Sequence, residues 1–165
     1  MRTFLKIALA VGLLMTLVGC SSKFRGYNGP EVTRVVVYKE MRRMYLLNGK
    51  RVLRSYVIDL GFAPTGDKTV EGDGRTPEGL YTIDRRNPNS QFHLSLGLDY
   101  PRKHDIAQAK ALGKSPGGDI FIHGRGNPTS FLIRDWTWGC IAVTNDEMEE
   151  IYAMVKDGTP IAIHR

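Results

Sequence analysis

Of the 165 residues, two are cysteines and four are histidines. Cys140 stands in Ile133-Arg134-Asp135-Trp136-Thr137-Trp138-Gly139-Cys140-Ile141-Ala142-Val143, and His123 precedes it by 17 positions in Ile120-Phe121-Ile122-His123-Gly124. A thiol becomes a strong nucleophile near neutral pH when a neighbouring imidazole takes its proton or lowers its pKa. Three arrangements use these residue types. Zinc is disfavoured and no metal is expected, because His93, His104, His123, His164 and Cys140 lack the close paired spacing of zinc sites. A buried, inert thiol is the plainest alternative, since free cysteine is among the most buried residue types. The third is a Cys/His acyl-transfer pair.

Local context favours the pair. Gly139 lets the backbone approach a substrate carbonyl, and the N–H groups of Trp138, Gly139 or Cys140 are candidate donors to a tetrahedral oxyanion. His123 is the candidate base, with the Gly124 carbonyl orienting its ring as a carboxylate does in a triad. Its plainer reading is a core histidine at a strand end.

The elements that must hold these groups are mostly strands. Val32 to Tyr38 is rich in β-branched residues, and Arg42 to Leu47, Asn48-Gly49 and Lys50 to Ile58 read as a hairpin with a type I′ turn. Gly61 to Gly79, with five glycines and two prolines, reads as loop. Leu80 to Asp84, Gln91 to Leu98, Asp119 to His123, Cys140 to Val143 and Pro160 to Ile163 are further strand candidates. Ile106 to Leu112 suits a brief helix. Asn145 to Lys156 suits a firmer one, capped by Thr144 with Glu147 three residues on. The expected fold class is mostly β, a β-sandwich or curved mixed sheet with one or two short helices.

The N-terminus reads as an address. Arg2 and Lys6 precede an apolar run of 12 residues, Ile7 to Val18. A membrane span needs about 20, so the run suits a secretory signal. Leu17-Val18-Gly19-Cys20 resembles a bacterial lipobox, which implies cleavage before Cys20 and lipid attachment to it. An ordinary cleaved signal or a short anchor is the alternative. The expected organisation is signal peptide 1–19, lipidated Cys20 with a tether to residue 30, and one domain over 31–165. Removing the signal leaves 21 basic against 17 acidic residues, a net charge of +4. That balance suits an anionic wall polymer, and no Lys/Arg run interleaved with aromatics points to nucleic acid. With Cys20 lipidated, Cys140 has no disulfide partner.

His123-Gly124 followed by Thr137-Trp138-Gly139-Cys140-Ile141 resembles the signature of the YkuD-type L,D-transpeptidases: His-Gly, then Ser/Thr-x-Gly-Cys and a hydrophobic residue. Arg75-Thr76-Pro77-Glu78-Gly79-Leu80-Tyr81 resembles their Thr-Pro-x-Gly-x-Phe/Tyr segment. The resemblance spans about residues 32–163 and implies the mostly-β catalytic fold. It implies attack by Cys140 on the carbonyl of an L-centre residue of a peptidoglycan stem peptide, usually diaminopimelate. The acyl group then passes to an amine, with no cofactor. It assigns His123 as base, Gly124 as its carbonyl support, and Thr137 and Gly139 to the oxyanion pocket.

Two departures stand out. Trp138 replaces a common histidine, and Ala142 replaces an arginine suited to clamp a carboxylate. Arg134 and Arg125 are the candidate substitutes, each otherwise a solvated surface residue. The Gly-Cys-Ile-Ala-Val form also resembles members that cut rather than make bonds to diaminopimelate, so hydrolysis stays open beside transfer. A third reading is a non-catalytic wall-binding lipoprotein. The expected setting is the periplasmic side of the envelope as a monomer, with Ser21 after the lipidated cysteine resembling an outer-membrane destination.

Overall fold

A computed structural model describes residues 22–126 and 133–165. The expected signal peptide, residues 1–19, and Cys20 lie outside the described residues. The β-branched first half forms β1 (Arg34–Tyr38), β2 (Arg43–Asn48) and β3 (Arg51–Val57). There follow β4 (Gly79–Asn87), β5 (Ser95–Leu98), α1 (Lys103–Ala111), β6 (Phe121–His123), β7 (Ile141–Ala142), α2 (Asn145–Met154) and β8 (Pro160–His164). The strands run in the order β3-β2-β1-β8-β4-β5-β6-β7. Pairs β1/β8 and β6/β7 are parallel and the rest antiparallel. Beyond β3, Asp59 bridges Ala142 and Gly61 bridges Thr137. The chain leaving one edge strand thus meets the other edge, and the sheet curls. This is the mostly-β fold with two helices.

Alternation sets the core. Val35 and Val37 of β1, Met44 and Leu46 of β2, Tyr81 and Ile83 of β4 and Ile161 and Ile163 of β8 are buried on the inner face. Met148, Ile151 and Met154 of α2 close over β5 and β6. Thr144 caps α2 reciprocally: its hydroxyl accepts from the Glu147 N–H at 3.2 Å, and Glu147 Oε2 accepts from the Thr144 N–H at 2.9 Å.

Some local expectations change. Asn48 pairs with Arg51, so Gly49 and Lys50 are the central turn residues, and only Gly49 has positive φ (57°). A type I′ turn needs positive φ at both centres, whereas glycine first fits type II′. Gln91–Leu98 is strand only from Ser95, because His93 adopts a left-handed φ of 75° that interrupts extended backbone. Helix α1 starts three residues earlier than its alanines suggested. Asp105 accepts the Arg102 N–H at 2.7 Å and the Tyr81 hydroxyl at 3.0 Å, fixing its first turn. The segment read as a tether is docked: Lys23 Nζ donates to the Pro88 carbonyl at 2.6 Å, and Arg25 pairs with Glu149 at 2.8 Å.

Candidate active site

Strand register brings Cys140 and His123 into one cavity. Asn87, Ser95 and His123 form one cross-sheet row, since Asn87 pairs with Ser95 and Ser95 with His123. Arg85, Gly97 and Phe121 form the next. Ile122 pairs with Ile141 and His123 with Ala142, so the same register carried back one residue sets Cys140 beside Phe121. Side chains two apart on a strand share a face, so both rows face the same side. There they enclose a cavity of about 590 Å³ lined by Ser95, Phe121, His123, Cys140, Asp119 and the turn Asn89–Phe92. That volume suits a peptide-sized ligand.

The His123 ring is held tightly. Its Nδ1 lies 2.6 Å from the Gly124 carbonyl oxygen, which can only accept, so Nδ1 carries the proton and Nε2 is left as a base. Phe92 stacks on the ring at 4.5 Å between centroids, and Trp136 meets it edge-on at 5.6 Å. This apolar enclosure lowers the imidazole pKa to about 4: burial is the main cause, Arg125 adds to it, and the Gly124 carbonyl opposes it. Gly124 is required by space, since a Cβ there would lie 2.6 Å from Asn145 Oδ1 and 2.8 Å from the Phe92 carbonyl. Asn145, the first residue of α2, also accepts the N–H groups of Arg125 and Gly126 at 2.9 and 3.1 Å. The helix start thereby holds the turn after His123.

Cys140 is a free, partly exposed cysteine. Its thiol donates to the Asp119 carbonyl at 3.5 Å. Burial raises its pKa, the Phe121 N–H lowers it, and the Asp119 carboxylate raises it further. The resting pair is therefore neutral thiol and neutral imidazole.

Thr137 ties the turn before the thiol. Its hydroxyl donates to the Cys140 carbonyl at 2.7 Å and accepts from the Gly139 N–H at 3.2 Å. The Gly139 N–H is thus spent inside the turn, which removes it from the candidate oxyanion donors. Gly139 has φ of 125°, and a Cβ would sit 2.6 Å from the Arg75 carbonyl. Gly61 packs as closely, with its Cβ position 2.0 Å from the Gly74 carbonyl and 3.0 Å from the Gly139 Cα. Here the Arg75-Thr76-Pro77 segment finds its use: it braces the back of the cysteine turn, with Thr76 fully buried and its hydroxyl accepting the Gly61 N–H at 3.2 Å.

The other pocket candidates lie elsewhere. Trp138 is 72% exposed and meets Phe62 edge-on at 5.0 Å, outside the cavity of Cys140. Arg125 and Arg134 both pair with the buried Asp59, Arg134 at 3.2 Å. Neither lines that cavity, because the buried carboxylate draws both guanidinium groups to it. Ser95, Asp119 and Phe121 were not anticipated as site residues. The alternation of Phe121 with His123 was the available signal for one of them. Among the described residues, no group of three or more His, Cys, Asp or Glu side chains is arranged to hold a metal.

The sequence profile of the L,D-transpeptidase catalytic domain (YkuD) matches residues 32–163. This chain belongs to the YkuD L,D-transpeptidase family. Escherichia coli YafK, a protein named for L,D-transpeptidase activity, is 28% identical over 127 residues, covering 73% of this chain and 46% of YafK. This chain therefore spans about half the length of that curated relative. The helical cell shape determining protein Pgp2 from Campylobacter jejuni superposes with a TM-score of 0.62 at 26% identity, covering 92% of this chain and 54% of Pgp2. Bdellovibrio bacteriovorus Bd1075 gives 0.57 at 26% identity, over 81% of this chain and 48% of Bd1075. An L,D-transpeptidase from Mycobacterium smegmatis shares the fold at 16% identity, with a TM-score of 0.55 over 81% of this chain and 59% of that one. The YkuD family comprises peptidoglycan-modifying enzymes of the cell wall, and the sheet, turn and cavity described above are its catalytic-domain fold in this chain.

Proposed function

We propose that the protein is a cysteine acyltransferase acting on peptidoglycan stem peptides, with Cys140 as nucleophile and His123 as base. The observation that carries this reading is that both side chains line one cavity while Nδ1 of His123 is committed to Gly124. In the proposed reaction Nε2 takes the thiol proton as Sγ attacks the peptide carbonyl at an L centre. The tetrahedral oxyanion collapses, the following D-residue leaves as an amine protonated by His123, and a thioester remains on Cys140. An acceptor amine then attacks the thioester and restores the thiol. The N–H groups of Trp138 and Cys140 are the remaining candidates for the oxyanion pocket, since Thr137 and Gly139 serve each other. Neutral partners suit this route, because proton transfer and attack proceed together without a stored thiolate.

Hydrolysis is the second reading. Ala142 stands where many family members have a cation, and its methyl side chain offers no charge to an acceptor or donor. Water would then take the acyl group, trimming stem peptides or detaching wall-linked protein. The kinship with Pgp2, named a helical cell shape determining protein, makes a shape role part of the proposal. Export, lipidation at Cys20 and an outer-membrane address on the periplasmic side complete it.

The test is turnover of a disaccharide-tetrapeptide followed by chromatography with rising acceptor amine. We expect Cys140→Ala to be inactive and His123→Ala to lose a factor of about 100 to 10,000, with both variants folded. Cross-linked dimer growing with acceptor marks transfer, and trimmed monomer alone marks hydrolysis. Activity in Cys140→Ala overturns the reading.

A further inference from the structure

The cross-sheet row that ends at the thiol begins with an arginine. Arg85 of β4 pairs with Gly97 of β5, and Gly97 pairs with Phe121 of β6, the residue beside Cys140. A β-bulge between Ile83 and Arg85 sets this phase, so Arg85 lies on the same sheet face as the cavity residue Asn87 and reaches the cavity's edge through Phe121 and Asp119. Arg86, on the opposite face, is absorbed elsewhere: it donates to the Val155 carbonyl at 2.6 Å and lies over the Tyr152 ring.

The side chain of Arg85 lies flat across the sheet because Gly97 has none. A Cβ on Gly97 would fall 2.5 Å from Arg85 Cγ and 2.7 Å from its Cζ. The guanidinium then stacks 4.7 Å from the Phe121 ring centroid. Its Nη1 is committed, donating to the Leu98 carbonyl at 2.7 Å and to Asp84 at 2.8 Å. Its Nη2 faces Asp119 at 3.6 Å, too long for a hydrogen bond, and the Asp119 side chain is 91% exposed. One edge of a positioned guanidinium thus remains available at the rim formed by Asp119 and Phe121.

The neighbouring cations are occupied. Arg125 and Arg134 pair with Asp59. Lys68 is buried against Asp73 at 2.9 Å and the Val70 carbonyl at 3.1 Å. A glycine notch, an aromatic platform and a bulge all serve one half-exposed cation, which is more construction than a surface ion pair requires.

We propose that Arg85 is a specificity-determining residue that binds a free carboxylate of the donor stem peptide, the task that Ala142 leaves unfilled. The inference rests on the stem-peptide reading above. Two carboxylates of a tetrapeptide offer this chemistry: the C-terminus of the departing D-residue and the D-centre carboxylate of diaminopimelate. Charge-assisted hydrogen bonding to Nη2, displacing the long Asp119 contact, recognises either one.

Calorimetric binding in the Cys140→Ala background tests this apart from turnover. Three ligands are compared: the native disaccharide-tetrapeptide, its C-terminal carboxamide, and its form amidated on diaminopimelate. We expect Arg85→Met to weaken binding of the native peptide about ten- to a hundredfold. It leaves unchanged the affinity for whichever amidated form already lacks the recognised carboxylate, and that form identifies the source. Gly97→Val, which evicts the guanidinium from its notch, reproduces the selective loss. Native-peptide binding that Arg85→Met leaves intact, or an equal loss on all three ligands, overturns the proposal alone. If the parent binds no ligand and the wild type turns over no donor, the stem-peptide reading itself is overturned and the Arg85 proposal falls with it.

Discussion

The buried imidazole makes a quantitative prediction about acid. His123 is 3% exposed, and its pKa lies near 4 instead of the ordinary 6.5. That interval corresponds to about 3 kcal/mol of preference for the neutral ring in the folded protein. For stability, the unfolded chain binds a proton at His123 below pH 6.5 and the folded chain does so only below about 4. The stabilising preference is complete above 6.5, is lost progressively as pH falls towards 4, and changes no further below that. For activity, the proposed base stays neutral down to about pH 4. At pH 5 roughly nine-tenths of His123 remains neutral, against about 3% for an imidazole of ordinary pKa. Urea denaturation of wild type and His123→Gln from pH 7.5 to 4.0, with kcat/KM over the same range, measures both. The wild type should lose up to about 3 kcal/mol relative to the variant across this window, with an acid limb in kcat/KM near 4. An acid limb near 6.5, or parallel stability profiles for the two proteins, would refute the claim that Phe92, Trp136 and the sheet keep the ring from solvent.

Two substitutions probe the frame around the thiol. Thr137→Val removes the hydroxyl that bridges the Cys140 carbonyl and the Gly139 N–H; it should cost about 1–3 kcal/mol in denaturation and lower kcat more than it raises KM. Unchanged kcat in that variant would remove the turn from any positioning role. Gly61→Ala drives a methyl into the Gly74 carbonyl and should destabilise by at least about 1–3 kcal/mol, read by thermal unfolding. A neutral result would show that the Gly/Pro-rich loop does not brace the cysteine turn.

What the sequence revealed and what it withheld divide along the range of the interactions. The hairpin, the Thr144 cap and the Gly61–Gly79 loop are local, carried by β-branching, side-chain capping and backbone freedom within a few residues. The Cys140 and His123 motifs were legible because His123 ends β6 and Cys140 immediately precedes β7, so the parallel pairing of these short strands fixes their separation. Long-range partners were not. Nothing near Arg125 or Arg134 announces that Asp59, more than 60 positions away, lies buried between them. Trp136 and Trp138 look alike in sequence, yet one packs on the imidazole and the other stands in solvent. Gly97 inside a strand was a usable sign of a close approach, and the residue that approaches is Arg85.

The central claim is that Cys140 forms the covalent intermediate. Intact-mass spectrometry of the protein mixed with disaccharide-tetrapeptide and quenched in acid tests it most directly. The account predicts a mass increase equal to the donor less its departing D-residue, mapped to Cys140 and absent in Cys140→Ala. An unmodified Cys140 under conditions where donor is consumed, or an adduct mapped to another residue, would contradict it.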